Sequence, residues 1–211
     1  MKLWLIVPIK PFAEGKSRLA GRLSPSRRSS LSKQLFRHVI TQALAAPELT
    51  GILVVSRDAT VLDDLQAPHL YLIAETGNDL NRAIQQGREE ALQRGADAIL
   101  VLPADLPYLQ SQDITTLYQR SVANEGALIV PSDDNGTNAL LLRPPQAIDF
   151  AFGQNSFLHH CRAAQMANLP VTVIDTPHLS FDVDLPPDLA QLSTEQAYQS
   201  YVSASSPQAW R

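Results

Sequence analysis

The feature that most constrains the fold is an apolar run, residues 99–102, that stops abruptly in a turn containing Pro103, Asp105 and Pro107. Such a run is typical of a strand that is buried on both faces. In open α/β sheets the carboxyl end of a strand faces the ligand crevice, and the prolines fix the backbone around the carboxylate. Asp105 is therefore a candidate metal ligand, although an ordinary Asx-type turn explains the same residue equally well.

Strands and helices alternate before this stretch. Apolar runs predict strands over residues 3–7, 51–56 and 70–73. Helices are expected over residues 29–46, 59–65 and 80–91, where apolar residues recur at helical spacing. This succession is typical of the first half of a doubly wound sheet.

The second half continues with the same kinds of element. The pattern predicts strands over residues 127–130, 139–142 and 170–174, and helices over residues 113–122, 157–164 and 187–202. Ser156 is a candidate cap for the helix over residues 157–164. Residues 203–211 are expected to form a frayed tail. With 45% hydrophobic residues the chain can bury a full core, so a single domain over residues 1–211 is expected.

Composition narrows the class of function. A formal charge of −4 and a pI near 5.7 argue against sequence-independent binding of nucleic acid, because such binding needs clustered lysines and arginines. The single cysteine, Cys161, has no partner for an internal disulfide, and it falls in an apolar helix stripe. No apolar run approaches the length of a membrane-spanning helix, about 20 residues, and the first residues lack a signal-peptide layout. A cytoplasmic protein is therefore expected.

Three cations, Lys10, Lys16 and Arg18, lie in the loop between the first strand and the next helix. At this position of a doubly wound sheet, cations meet phosphates. The glycine spacings of a P-loop and of a dinucleotide-binding fingerprint are both absent. The alternative is a solvated loop whose charges only keep the protein soluble.

Two further stretches have a structural and a functional interpretation. Asp79 and Asn81 stand at a helix start. In the structural interpretation, Asn78 or Asp79 is the N-cap of this helix. In the functional interpretation, the free N–H groups and amide side chains of the helix start contact a nucleotide. Residues 132–138 are all small or polar. They form either a tight loop between strands or a site that holds an anionic substrate.

Asp182 and Asp184 form a pair of carboxylates near the C-terminus. Like Asp105, they stand shortly before a proline. In an extended segment both side chains project to the same side, with Val183 opposite. Like charges on one side are unfavourable unless a cation lies between them. The alternative is an exposed edge strand with solvated aspartates.

Together, the basic loop and the three aspartates indicate nucleotidyl transfer. In this reaction a substrate oxygen attacks the α-phosphorus of a nucleoside triphosphate, and metal held by carboxylates neutralises charge as pyrophosphate leaves. An acceptor phosphate is already ionised at pH 7, so no general base is needed and none stands out. His159 and His160 are adjacent on a helix and diverge by about 100°, which suits neither a shared metal nor a relay.

The order of these motifs resembles one family along nearly the whole chain. The matching segments are residues 7–11, 16–19, 102–107, 136–140, 152–157 and 182–189. They look like the 2-phospho-L-lactate and phosphoenolpyruvate guanylyltransferases of coenzyme F420 biosynthesis. Related transferases that make molybdopterin dinucleotides or nucleotide sugars open instead with a glycine-rich loop. The resemblance implies a single-domain, Rossmann-like, GT-A-type three-layer α/β sandwich with a mixed, mostly parallel sheet.

The resemblance also implies a reaction, in which GMP passes from GTP to the phosphate of a small three-carbon phospho-acid. By position, the family's metal ligands, here for two Mg²⁺ ions, correspond to Asp105, Asp182 and Asp184. Catalysis is implied for Asp105, Lys16 and Arg18, acceptor binding for Lys10, Thr137, Gly153 and Ser156, and nucleotide binding for Lys16, Arg18, Asp79 and Asn81. The implied partners are GTP and the phospho-acid, without nucleic acid or membrane, and a homodimer stays open.

The sequence departs from the family's pattern in three places, which involve four residues. Asn135 replaces a second glycine, Gln154 and Asn155 replace a Pro-Gly pair, and Leu185 replaces a threonine. The first two departures touch the acceptor pocket, so they leave the acceptor open rather than the reaction type.

Three other functions are compatible with the sequence. They are a related nucleotidyltransferase acting on a molybdopterin or sugar phosphate, a glycosyltransferase that releases no pyrophosphate, and a GTP-binding module without turnover. The complete set of lysines, arginine and aspartates weighs against the last.

Overall fold

One mixed sheet organises residues 1–194, the part of the chain that the structure, a computed structural model, describes. Its strands are β1 (Leu3–Pro8), β2 (Leu49–Ser56), β3 (Leu70–Ala74), β4 (Ala98–Val101), β5 (Gly126–Pro131), β6 (Thr137–Arg143) and β7 (Val171–Val173). The order across the sheet is β3-β2-β1-β4-β6-β5-β7. Strand β6 runs antiparallel to both of its neighbours, and the other pairs are parallel. The predicted mixed, mostly parallel sheet is confirmed.

Helices connect most of the strands. They are α1 (Pro25–Leu44), α2 (Leu80–Gln93), α3 (Ser111–Val122), α4 (Ser156–Met166), α5 (Pro177–Ser180) and α6 (Pro186–Thr194), with 3₁₀ turns at Phe12–Glu14 and Ser17–Leu19. The predicted helix over residues 187–202 is confirmed as far as residue 194. Its remainder and the expected frayed tail, residues 203–211, lie outside the described residues. None of the described helices is both long enough and apolar enough to cross a bilayer.

Two apolar clusters, one on each face of the sheet, create three layers. Successive residues of β1 alternate between them, because side chains of a strand point to opposite faces. Leu3, Leu5 and Val7 pack with α1 and α3, whereas Trp4 and Ile6 pack with α2 and α4. Since helices cover both faces, β1 is apolar throughout, as its sequence predicts.

A third, smaller cluster fixes two charged segments to the rest of the fold. Leu19 follows the basic loop, Val183 lies between two aspartates, and both pack in one cluster with Leu35 of α1. Leu19 and Val183 are fully buried. Burial of Val183 directs its neighbours, Asp182 and Asp184, to the opposite side, as the alternation of an extended chain predicts.

The reversal of β6 determines which residues reach the functional edge of the sheet. Val101 at the end of β4 pairs with Leu140 of β6. Thr137 and Asn138, at the start of β6, therefore lie beyond the carboxyl end of β4. Asp105 follows β4, so these residues belong to the same edge.

Two local predictions need correction. Residues 59–64 form turns and Leu65 has no regular secondary structure, so the predicted helix over residues 59–65 is wrong. The Asp58 carboxylate caps the N–H of Thr60 at 2.9 Å, but a segment this short gains few intrahelical bonds, and its backbone closes separate turns, with Asp63 N–H donating to the Thr60 carbonyl at 3.0 Å and Leu65 N–H to that of Leu62 at 2.8 Å. Helix α1 begins at Pro25 rather than residue 29, because Ser24 caps it and proline is favourable at the first helical position.

Candidate active site

Three carboxylates meet at the carboxyl edge of the sheet. Asp105 follows β4, and Asp182 and Asp184 come from the segment between α5 and α6. One oxygen from each side chain lies within 4.8 Å of the corresponding oxygens of the other two. We call this group the carboxylate cluster.

The ammonium of Lys16 is inserted into the carboxylate cluster. Its Nζ lies 2.5 Å from Asp105 Oδ2 and 3.1 Å from Asp184 Oδ1, and its side chain is 7% exposed. Burial by itself lowers the pKa of Lys16, but the charges and hydrogen bonds of the two aspartates outweigh it and raise this pKa above its ordinary value. Arg18 is more exposed and reaches Asp184 Oδ2 with Nη1 at 3.3 Å. The structure thus brings together two of the three predicted cations and the three predicted aspartates.

The surroundings of Asp182 disfavour its charged form. Burial, followed by the charge of Asp105, raises the pKa of Asp182 to about 7. Asn138 opposes the shift, because its Nδ2 donates to Asp182 Oδ1 at 3.1 Å and to the carbonyl of Ser180 at 3.0 Å. Asn138 is buried at the start of β6 and so fixes this carboxylate to the sheet. Sequence reasoning missed this role, although Asn138 stood in the polar loop that it singled out.

Asp188 holds the other aspartate of the pair from the opposite direction. Its Oδ2 accepts from the backbone N–H of Asp184 at 2.8 Å and from that of Leu185 at 2.6 Å. In both bonds the donor is a backbone N–H, which every residue type except proline supplies. The departure at Leu185 therefore leaves this support of Asp184 intact.

The carboxylate cluster fits a hard divalent cation. Asp105 Oδ1 is buried without a hydrogen-bond partner among the described residues, which leaves a lone pair for a ligand. The Lys16 ammonium already occupies the position of a counter-cation between two carboxylates. An all-oxygen, anionic donor set is the kind that Mg²⁺ prefers.

A second polar group joins Thr137 of β6 to two residues of α4. Thr137 Oγ1 is 3.1 Å from Ser156 Oγ and 3.0 Å from His160 Nδ1, and all three residues are buried. We call these three residues the hydroxyl group site. Ser156 is the first residue of α4, and its hydroxyl donates to Thr137 Oγ1 rather than capping the helix. The predicted role of Ser156 as a helix cap is therefore wrong. Thr137 precedes Asn138, which connects this site to the carboxylate cluster through consecutive residues.

The turns around the hydroxyl group site show how the departures from the family's glycines are accommodated. Asn135 has φ of 65° and Asn155 has φ of 55°, both in the left-handed region, and Gly153 has φ of 134°. Asparagine tolerates the left-handed region better than most residues because its side chain is short and polar. Asn135 and Asn155 therefore keep backbone conformations that a glycine would adopt.

The remaining predicted residues are less directly connected to the carboxylate cluster. Asp79 is the N-cap of α2 and accepts from the N–H of Arg82 at 2.8 Å. The amide of Asn81 exchanges two hydrogen bonds with the backbone of Phe152, at 2.7 and 3.0 Å. Lys10 is exposed just beyond the carboxyl end of β1. The capping prediction for Asp79 is confirmed, and the ligand-binding roles of all three residues stay predictions.

Known proteins resemble the chain over nearly its full length. A family model described as "Guanylyl transferase CofC like" matches residues 3–198. A phosphoenolpyruvate guanylyltransferase of Rubrobacter xylanophilus is 41% identical over 202 residues, which cover 94% of this chain and 97% of the relative. A 2-phospho-L-lactate guanylyltransferase of Methanothermobacter thermautotrophicus is 33% identical and covers 91% of this chain and 84% of the relative.

Solved structures share the fold at low sequence identity. A putative nucleotide-diphospho-sugar transferase from Desulfovibrio desulfuricans superimposes with a TM-score of 0.76 at 17% identity, covering 97% of this chain and 96% of that chain. A CMP:2-keto-3-deoxy-manno-octonic acid synthetase complexed with CTP gives 0.64 at 14% identity, covering 94% and 100%. The expected GT-A-like α/β fold is confirmed. With its family model and its relatives in agreement, the chain belongs to the CofC-like guanylyl transferase family of nucleotidyltransferases.

Proposed function

We propose that the protein transfers GMP from GTP to the phosphate of phosphoenolpyruvate, as the guanylyl-transfer step of coenzyme F420 biosynthesis. The products are enolpyruvoyl-2-diphospho-5'-guanosine and pyrophosphate. The observation that carries this proposal is the carboxylate cluster around a buried cation, which Asn138 connects to the neighbouring residue Thr137 of the hydroxyl group site. Relatives named for phosphoenolpyruvate reach 41% identity and a relative named for 2-phospho-L-lactate is 33% identical, which supports the first acceptor and makes the second the other candidate.

The proposed chemistry needs no protein base. An oxygen of the acceptor phosphate attacks the α-phosphorus of GTP, a new phosphorus–oxygen bond forms, and the bond from that phosphorus to the bridging oxygen breaks. The electron pair leaves with pyrophosphate. The attacking oxygen is ionised at neutral pH, and the buried His160 has a pKa lowered to about 4 by burial and by the charge of His159. His160 is therefore neutral and too weak a base for this step.

The carboxylate cluster and the two cations have different roles in the proposed reaction: the first binds metal, and the second binds phosphate. Asp105, Asp182 and Asp184 would hold two Mg²⁺ ions, which when bound neutralise charge on the attacking and leaving oxygens. Lys16 and Arg18 bind the departing phosphates, because Lys16 lies within the carboxylate cluster, Arg18 lies on its exposed side, and both carry donors suited to phosphate. Lys16 exchanges its carboxylate partners for phosphate oxygens when the substrate enters.

The acceptor is bound by Lys10, Thr137, Gly153 and Ser156 in this proposal. A buried hydroxyl and a backbone in the left-handed region supply donors to a phosphate, and the exposed Lys10 supplies charge. The start of α2, with Asp79 and Asn81, contacts the nucleotide through its free N–H groups.

The test is pyrophosphate release by purified protein with GTP and Mg²⁺. Phosphoenolpyruvate, 2-phospho-L-lactate and 3-phosphoglycerate are offered separately, with ATP and CTP as nucleotide controls and Asp105→Asn as the matched inactive variant. GTP-dependent release with phosphoenolpyruvate is the expected result, and release with 2-phospho-L-lactate alone would reassign the acceptor. Binding of GTP without release from any phospho-acid would refute the proposal in favour of another acceptor or a non-catalytic module.

A further inference from the structure

We propose that His160 is a positioning residue that aims the hydroxyl of Thr137 at the phospho-acid acceptor, an inference that rests on the proposed function. His160 itself is fully buried and reaches the acceptor only through Thr137. Three consecutive hydrogen bonds join Ala151, His160, Thr137 and Ser156.

The first hydrogen bond determines the tautomer of His160. The backbone N–H of Ala151 points at Nε2 with a nitrogen–nitrogen distance of 3.0 Å. A backbone amide can only donate, so Nε2 has to offer its lone pair and carries no hydrogen. In the neutral ring the hydrogen therefore sits on Nδ1. The ring of Phe152 packs edge-on against the imidazole, with centroids 4.7 Å apart and planes at 66°, and holds this orientation.

The second and third hydrogen bonds converge on one oxygen. The Nδ1–H of His160 donates to Thr137 Oγ1 at 3.0 Å, and the hydroxyl of Ser156 donates to the same oxygen at 3.1 Å. These two bonds use both lone pairs of the threonine oxygen. The hydrogen of the Thr137 hydroxyl is left to donate elsewhere, although Thr137 is only 7% exposed.

A buried donor that is kept free is suited to an anionic acceptor. Buried hydroxyls normally find a partner within the protein, and here the chain fills the accepting capacity of Thr137 while leaving its donating capacity unused. A phosphate or carboxylate oxygen of the phospho-acid accepts that hydrogen. If His160 carried its hydrogen on Nε2 instead, Thr137 would donate to Nδ1 and would have none to offer.

The simpler alternative is that His160 only supports the loop through Ala151. Asparagine and glutamine separate the two roles, because each reproduces one end of the imidazole. In His160→Asn the amide nitrogen lies near the former Nδ1 and can still donate to Thr137. In His160→Gln the amide oxygen lies near the former Nε2 and can still accept from Ala151, but the donor to Thr137 is lost.

Steady-state kinetics with both substrates distinguishes the alternatives. We expect His160→Asn to keep the KM for phosphoenolpyruvate within about threefold of wild type and His160→Gln to raise it about tenfold or more, because without the Nδ1–H donor the Thr137 hydroxyl is no longer held with its hydrogen toward the anion. The KM for GTP should stay unchanged in both variants. If His160→Gln binds phosphoenolpyruvate as well as His160→Asn does, His160 does not act through Thr137 and the proposal is overturned.

A measurement on the wild-type protein keeps the proposal testable where a variant fails to fold. Nitrogen-15 NMR of protein labelled at histidine reports which ring nitrogen of His160 carries the hydrogen. The Nδ1–H tautomer is expected, and an Nε2–H tautomer in an active enzyme overturns the inference alone. Absence of guanylyl transfer by the wild-type protein instead refutes the proposed function on which the inference rests.

Discussion

Replacing Asp182 with asparagine should stabilise the metal-free protein while it removes the activity. Without metal, the carboxylate of Asp182 is largely buried and faces Asp105 and Asp184. Asparagine has the shape of a protonated aspartic acid and keeps an oxygen that can accept from Asn138, now 3.1 Å from Asp182. The variant therefore removes an unfavourable charge without leaving the Asn138 amide unpaired.

The magnitude follows from the raised pKa of Asp182. A rise from 3.8 to about 7 corresponds to up to about 4 kcal/mol of free energy of unfolding at pH 8. The folded chain keeps this proton up to about pH 7, whereas the unfolded chain releases it near its ordinary pKa. Because the folded state binds more protons within that window, the stability of the metal-free wild type falls as pH rises through it. The gain from Asp182→Asn is therefore small near pH 4 and largest at pH 8.

Thermal unfolding in EDTA at pH 5 and pH 8 measures this difference. At pH 8 the variant should unfold about 10 °C above wild type, and less than that at pH 5. Adding Mn²⁺ should raise the melting temperature of wild type and leave that of the variant nearly unchanged. Asp175→Asn, at an exposed aspartate in the loop before α5, is the matched control and should have no effect. A variant no more stable than wild type in EDTA at pH 8 would refute the reasoning.

Three further substitutions test the other charged residues. Asp105→Asn should nearly abolish pyrophosphate release with an unchanged circular dichroism spectrum, because Asp105 lies at a strand end outside the core; a rate above about a tenth of wild type would count against a metal-binding role. Lys10→Ala should raise the KM for the phospho-acid more than that for GTP, and an equal rise in both would assign Lys10 to the nucleotide. Lys16→Met should bind Mn²⁺ about tenfold more tightly at pH 8 in the absence of nucleotide and turn over more slowly, since its ammonium no longer competes for Asp105 and Asp184. Unchanged Mn²⁺ affinity would show that Lys16 does not occupy the cation position.

The carboxylate cluster could be predicted because its signals are local. A carboxylate directly after an apolar run marks a strand end, and parallel strands bring such ends to one edge of the sheet. The alternation around Val183 determines the side to which Asp182 and Asp184 point, and burial of Val183 shows that the core decides this orientation. These inferences need only the period of an extended chain and the apolar character of its residues.

The hydroxyl group site could not be predicted from spacing. Thr137, Ser156 and His160 come from a strand and a helix that meet only because β6 is reversed, and an apolar run does not indicate the direction of its strand. His160 next to His159 offered no partner in the sequence. The incorrect helix over residues 59–65 has a local cause instead, since so short a segment gains few intrahelical hydrogen bonds and closes separate turns, which an apolar spacing does not reveal.

The reversed strand also explains how the two parts of the site are kept at a fixed separation. Thr137 and Asn138 are consecutive in β6, and their side chains point to opposite faces of the sheet. Thr137 meets Ser156 and His160 of α4, whereas Asn138 holds Asp182. In the proposed reaction, these two consecutive residues, at the point where the pairing of β6 with β5 shifts register, therefore set the distance from the acceptor to the carboxylate cluster. Because misplacement of reacting groups by about 1 Å can slow a reaction a hundredfold, a strand is a better support for this spacing than a loop.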